Sequence, residues 1–241
     1  MILLTAPPRT GKSTAIRKIV NMLGREKCGG FYTEEIRKDG ERVGFKIISL
    51  NGEEGILAHI SFDSEFKISR YGVDLDTFEK ICLKELHRAI STDSIKYIII
   101  DEIGPMQLFS EEYKELLMQM LSIDKKVIGT IFYASYDWLD DFKKNEHVKL
   151  IEIDENNRND IPLQVVEDIT KDDLKFQRKI EKAKKYIMEP ERFRCDGNKT
   201  VINSEHGVRT VSYEDNKYSC DCEYYKENGT CSHIITAIMK G

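Results

Sequence analysis

Short β-branched apolar runs recur along this chain, and stretches of helical period stand between several of them. The first run, Met1-Ile2-Leu3-Leu4-Thr5, leads through a loop into Ala15-Ile16-Arg17-Lys18-Ile19-Val20, which reads as a helix. Residues 31–37 and 42–50 read as strands, and the Asp39-Gly40 pair between them predicts a hairpin. Asn51-Gly52 turns the chain again before Ile56-Leu57-Ala58. Over residues 73–90, Leu75, Phe78, Cys82, Leu86 and Ala89 share one helical face, with Asp74 placed to cap the start. Residues 94–102 form a continuous apolar run closed by two acids, the pattern of a strand covered on both faces in a parallel sheet. Ser110 precedes a helix whose Tyr113, Leu116, Leu117, Met120 and Leu121 make a core-facing stripe. Residues 126–132 read as another buried strand and 148–153 as a shorter, alternating one. The succession predicts an α/β fold with a mostly parallel sheet and inserted β-hairpins.

The loop after the first strand carries the first chemical signal. Ala6-Pro7-Pro8-Arg9-Thr10-Gly11-Lys12-Ser13-Thr14 sits between strand and helix, the layout of a phosphate-binding loop. Its backbone N–H groups wrap a polyphosphate, and the helix that follows aims its positive end at the same oxygens. All nine residues are therefore candidate nucleotide contacts. Lys12 reaches the β- and γ-phosphates in this arrangement, and the Ser13 hydroxyl ligates Mg²⁺. Arg9 stands where glycine is common; if the loop needs φ > 0 there, a long side chain is strained. Asp101 and Glu102 close the strand at the edge where open α/β sheets bind ligands. Asp101 suits Mg²⁺ through a water, and Glu102 suits the general base that polarises the attacking water.

At 241 residues, 40% hydrophobic and 33% charged, the chain has room for one α/β domain and a small module. No charged leader precedes a long apolar stretch and no run reaches membrane-spanning length, so no membrane association is expected and a cytoplasmic location is. The formal charge is −5. Residues 175–194 run against it, with eight basic side chains and three acidic, read chiefly as the solvated face of a linker helix and secondarily as a nucleic-acid contact. Cys28, Cys82 and Cys195 are scattered and read as buried free thiols.

The remaining cysteines are grouped. Residues 198–203 and 208–213 alternate as short strands, then come Cys220-Asp221-Cys222 and Cys231-Ser232-His233, the last opening an apolar helix. Three thiolates and one imidazole make a closed tetrahedral Zn²⁺ set with no open position, hence a structural role. The expectation is a small zinc-stabilised ββα module whose folding depends on the metal. Cys-x-Cys followed by Cys-x-His resembles the SWIM zinc finger over about residues 190–241, which implies contact with a protein or nucleic-acid partner.

The first two-thirds of the chain resembles the cancer-related nucleoside-triphosphatase family. The resemblance rests on residues 29–37, 40–45, Leu57-Ala58, Tyr71-Gly72-Val73, 100–106 and Glu155-Asn156-Asn157-Arg158, in that order. It implies a P-loop fold with a RecA- or AAA-like sheet and Mg²⁺-dependent hydrolysis of ATP, GTP and related triphosphates to diphosphate and phosphate, with loose base selectivity. It also implies the same roles for Lys12, Ser13, Asp101 and Glu102. Arg158 becomes a candidate charge stabiliser at the γ-phosphate, or else a structural ion pair. Two departures bear on turnover: Ala6-Pro7-Pro8-Arg9 replaces the family's Gly-Pro-Pro-Gly, and Phe132 stands where a histidine is common. Thr130 remains as a polar sensor of the γ-phosphate. The expected organisation is a nucleoside-triphosphatase domain over 1–167, a basic helical linker over 168–193 and the zinc-finger module over 194–241. A P-loop nucleotide or polynucleotide kinase, and a nucleotide-loaded adaptor with little turnover, are the alternative readings.

Overall fold

Nine strands form the larger sheet, and burial explains why the sequence reads as it does. They are β1 (Ile2–Thr5), β2 (Cys28–Lys38), β3 (Glu41–Ser49), β4 (Glu54–His59), β5 (Lys67–Ile68), β6 (Tyr71–Val73), β7 (Tyr97–Ile103), β8 (Lys126–Ile131) and β9 (Lys149–Glu152). The structure, a computed structural model, describes residues 1–240. The spatial order is β5-β6-β4-β3-β2-β7-β8-β1-β9. From β2 to β9 all neighbours are parallel, while β3, β4, β6 and β5 extend the other side antiparallel. Every residue of β1 is buried, as are the first five of β7, matching their unbroken apolar runs.

Local signals hold where a side chain enforces them. Asp39 and Gly40 both adopt positive φ (51° and 82°) at the β2–β3 turn, the geometry of the tight hairpin that Asp-Gly favours. Helices α1 (Lys12–Leu23), α2 (Leu75–Phe78), α3 (Lys84–Ser91) and α4 (Glu111–Met120) fall in the expected stretches, with a π-helical turn over Glu79–Leu83 joining α2 to α3. Asp74 caps α2 by accepting from the Thr77 N–H at 2.9 Å, and Ser110 caps α4 by accepting from the Tyr113 N–H at 3.2 Å. Helix α5 (Asp137–Lys143) precedes β9.

Where β2 meets β7, Gly30 lies opposite Ile99 with φ +120°, and a Cβ there would run into the Ile99 carbonyl. The Gly30 N–H is taken by the buried Glu85 carboxylate at 3.0 Å, which Arg88 holds with two hydrogen bonds of 2.7 Å. An acid on the apolar face of α3 was not expected from the sequence. Its partner supplies the compensation that a buried charge requires.

The chain divides into two compact units, Met1–Ile16 with Lys27–Asp154, and Arg17–Glu26 with Glu155–Gly241. The division falls before the sequence boundary at residue 167, and the stretch read as a linker lies inside the second unit. There α6 (Ile161–Ile169) and α7 (Leu174–Ile187) precede a second sheet, β10 (Phe193–Asp196), β11 (Lys199–Ser204), β12 (Gly207–Glu214) and β13 (Lys217–Cys220), antiparallel in sequential order. Two helices follow, α8 (Glu223–Asn228) and α9 (Ser232–Lys240).

The tail is thus four strands and two helices rather than ββα. Strand β10 escaped notice because its residues are mostly exposed, which leaves no apolar alternation to read. Residues 232–238 of α9 are all buried, so its sequence is apolar on nearly every side. The Tyr186 ring of α7 is fully buried and stacks on His233 with 8° between ring planes. Cys28 and Cys82 are buried as expected, but Cys195 is exposed on the edge strand β10.

Candidate functional site

The register of three parallel strands assembles the phosphate site. Leu4 lies opposite Thr130, and Gly129 lies opposite Ile100, so β1, β8 and β7 end on one edge of the sheet. The loop leaves that edge from β1, Asp101 and Glu102 leave it from β7, and β8 stands between them.

Loop residues 6–11 turn tightly. Arg9 has φ +67° and Gly11 +115°, so the strain anticipated at Arg9 is present. The Thr10 hydroxyl donates to the Pro7 carbonyl at 2.8 Å, and Lys12 Nζ donates to the Ala6 carbonyl at 2.8 Å, closing the loop on itself. Ala6 is buried, Pro7, Pro8, Arg9 and Thr14 are exposed, and Ser13 in the first turn of α1 is half-buried.

Thr130 is fully buried and donates its hydroxyl to Asp101 Oδ1 at 2.6 Å. Asp101 is 2% exposed. Burial raises the Glu102 carboxyl to about 7, the Asp101 charge adds to the rise, and the Lys12 ammonium works against it. Lys12 therefore shares an electrostatic environment with the acidic pair, although nearly ninety positions separate them in the chain. A carboxylate and a hydroxyl oxygen are the hard donors Mg²⁺ accepts, so Asp101 and Ser13 suit that ion. The structure brings together Lys12, Thr130, Asp101 and Glu102 in this way.

Arg158 lies in the exposed turn 155–160, which belongs to the second unit. Three hydroxyls lie buried without a hydrogen-bond partner among the described residues: Tyr113 Oη on α4, Thr5 Oγ1 at the end of β1, and Thr33 Oγ1 on β2, one residue beyond the Tyr32–Asp101 pairing. In the sequence Thr5 is singled out only by its place directly before the loop, and no local signal marks Thr33.

In the second unit the four tail ligands converge. Cys220, Cys222, Cys231 and His233 are all buried, and one donor atom from each lies within 4.8 Å of the others. Cys220 Sγ and Cys231 Sγ are each 3.7 Å from His233 Nδ1. A tetrahedral zinc with ordinary sulfur and nitrogen bonds has ligand edges of about 3.5 Å. The donor set and its spacing fit that ion. A hydrogen bond from Cys231 holds the Cys220 thiol well below its usual value and Cys231 correspondingly above.

The basic run in α7 is largely engaged inside the second unit. Lys182 and Lys185 both reach Glu205, Lys184 pairs with Glu167, and Lys179 lies over the rings of Phe176 and Tyr224. Arg192, beyond the helix, pairs with Glu189.

A strand, a lysine-bearing loop, a helix and a distal carboxylate pair on one edge of a parallel sheet define a P-loop nucleotide-binding protein. The NTPase_1 family, an NTPase family, matches residues 1–166, and the chain belongs to it as a member of the nucleoside-triphosphatase enzymes. It is 41% identical over 160 residues to nucleoside-triphosphatase THEP1 of Thermotoga sp. (strain RQ2), covering 66% of this chain and 90% of that one. It is 34% identical over 171 residues to the cancer-related nucleoside-triphosphatase of Homo sapiens, covering 66% and 90%. The crystal structure of THEP1 from the hyperthermophile Aquifex aeolicus superposes with a TM-score of 0.64 at 33% identity, over 70% of this chain and 99% of that one. The family match ends at residue 166, so the Cys/His cluster lies outside it.

Proposed function

We propose that this chain hydrolyses nucleoside triphosphates to diphosphate and phosphate with Mg²⁺, and that its tail carries structural Zn²⁺. The observation that supports the first part most is the grouping of Lys12, Thr130, Asp101 and Glu102 at one sheet edge. Lys12 exchanges the Ala6 carbonyl for phosphate oxygens, and the loop amides and the positive end of α1 hold the remaining charge. Ser13, and Asp101 through a water, would hold Mg²⁺, which would supply charge neutralisation at the phosphates.

Thr130 fixes the Asp101 carboxylate by its hydroxyl. Glu102 accepts the proton of the attacking water. Its value near 7 suits a base that must be ionised and still basic at neutral pH. Arg158 is assigned as a charge stabiliser by family resemblance alone. The loose base selectivity is read the same way.

The tail cluster supports a closed Zn²⁺ site, in which Cys220, Cys222, Cys231 and His233 occupy every position and leave none for catalysis. A protein partner fits the tail better than nucleic acid, because the internal pairing of α7 leaves little of its positive charge for phosphate. Phosphate release measured across ATP, GTP, CTP and UTP with and without Mg²⁺ tests the reading. Release that depends on Mg²⁺ and disappears in Lys12→Ala supports it; release insensitive to both defeats it.

A further inference from the structure

Helix α1 is one unbroken helix, Lys12–Leu23. Its first turn carries the loop lysine and Ser13, and its second half is hydrogen-bonded by the tail. Asn21 Nδ2 donates to the Asn216 carbonyl at 3.2 Å, and Asn21 Oδ1 accepts from the Tyr218 N–H at 3.1 Å. Asn21 Nδ2 also donates to Arg17 O at 2.9 Å, so all three of its bonds are fixed. The Thr230 hydroxyl donates to Met22 O at 2.6 Å, with both residues buried.

Met22 O is one of the last four carbonyls of the helix, which find no partner within it. Thr230 therefore acts as a C-terminal cap supplied from 208 positions away. Both grips are tied to the Cys/His cluster by adjacency in the chain. Thr230 immediately precedes Cys231, and Tyr218 lies two residues before Cys220. At the same end, Glu26 packs against the backbone of Gly229, whose φ of +67° ends α8.

We propose that metal bound at Cys220, Cys222, Cys231 and His233 raises the nucleotide affinity of the loop, with α1 as the connecting element. This rests on the readings that the loop binds nucleotide and the cluster binds metal. A helix of twelve residues is marginal by itself, so its order depends on what holds it. The metal fixes the strand and loop that present Tyr218 and Thr230 to the second half. That grip keeps the helix formed back to its first turn, where the anion-binding amides are. Loss of the metal frees both grips, and part of the nucleotide's binding energy then goes into re-forming the helix. By linkage the effect is reciprocal, so nucleotide tightens metal binding by the same factor.

The test uses the full chain and titration calorimetry with Mg²⁺ and a non-hydrolysable ATP analogue, on zinc-loaded and chelator-stripped protein. The expected result is an affinity at least about fivefold weaker in the stripped protein, the lower end of ordinary coupling. In the reverse direction, cobalt(II) binding, followed by its thiolate absorption band, tightens by that factor when the analogue is present. Because stripping can unfold the tail, zinc-loaded Thr230→Val and Asn21→Ala carry the same question in metal-bound protein. They keep the cobalt band and bind the analogue more weakly than the parent.

Equal affinities for the analogue in loaded and stripped protein, or parental affinity in both variants, overturn the coupling while both site readings stand. Absence of analogue binding in either form overturns the nucleotide reading, and absence of the cobalt band overturns the metal reading. Either of these removes the coupling with it.

Discussion

Thr130 hands its only hydroxyl proton to Asp101 at 2.6 Å, and both residues are buried on neighbouring parallel strands. The sequence points to Thr130 as a sensor of the γ-phosphate. The structure gives it a different immediate task, orienting the carboxylate that suits Mg²⁺. Replacing it with valine keeps the shape and removes the donor. A hydrogen bond to a charged group contributes about 1.5–3 kcal/mol, so Thr130→Val is expected to lower stability by about that amount in denaturant titration. Its phosphate release is expected to need more Mg²⁺ for half-saturation. An unchanged Mg²⁺ requirement counts against the positioning role.

Glu102→Gln isolates the proposed base. General-base catalysis contributes about 10²–10⁴-fold, so phosphate release is expected to fall by at least about 100-fold while analogue binding persists. Loss of binding in calorimetry, with release falling only in proportion, would assign Glu102 to substrate binding instead.

The same carboxyl makes a prediction about pH. Its folded value is raised from 4.5 to about 7, chiefly by burial, so between those values the folded protein holds a proton that the unfolded chain has released. Stability therefore falls as pH rises through that window, because the unfolded state binds fewer protons there. In chelator without nucleotide, Glu102→Gln is expected to raise the melting temperature at pH 8 and to leave it nearly unchanged at pH 4.5. Hydrolysis by the parent runs the other way, rising through about pH 7 as the base ionises. A melting-temperature gain equal at both pH values would rule out this origin.

Arg9 occupies the left-handed region at φ +67°, where a side chain costs about 1–2 kcal/mol. Arg9→Gly is expected to stabilise the protein by about 1 kcal/mol in chemical denaturation, and to tighten the analogue in calorimetry. Destabilisation would mean that the guanidinium makes compensating contacts that outweigh the backbone strain.

Much of this was legible before the structure because local chemistry enforced it. Asp74 and Ser110 cap the helices they precede, Asp39-Gly40 turns the hairpin, and the runs ending at Thr5 and Asp101 are buried parallel strands. The apolar runs carried the sheet, since fully covered strands have little choice of residue. What stayed hidden depends on contacts far apart in sequence. Nothing near Glu85 announces that it will serve the Gly30 N–H, and nothing near Asn21 announces Tyr218. Strand β10 is mostly exposed and carries no apolar pattern, and the charge of α7 looked free because Glu205 and Glu167 lie outside the run.

The placement of β8 has a consequence for how the protein comes into being on the ribosome. Lys12 is made among the first residues, yet the strand before it touches the acid-bearing strand only through a segment some hundred and twenty positions later. No nascent chain shorter than that can offer a finished pocket, and contacts of such long range slow folding. A newly emerging N-terminal loop thus waits until residues 126–131 slot in between its strand and the acid-bearing one.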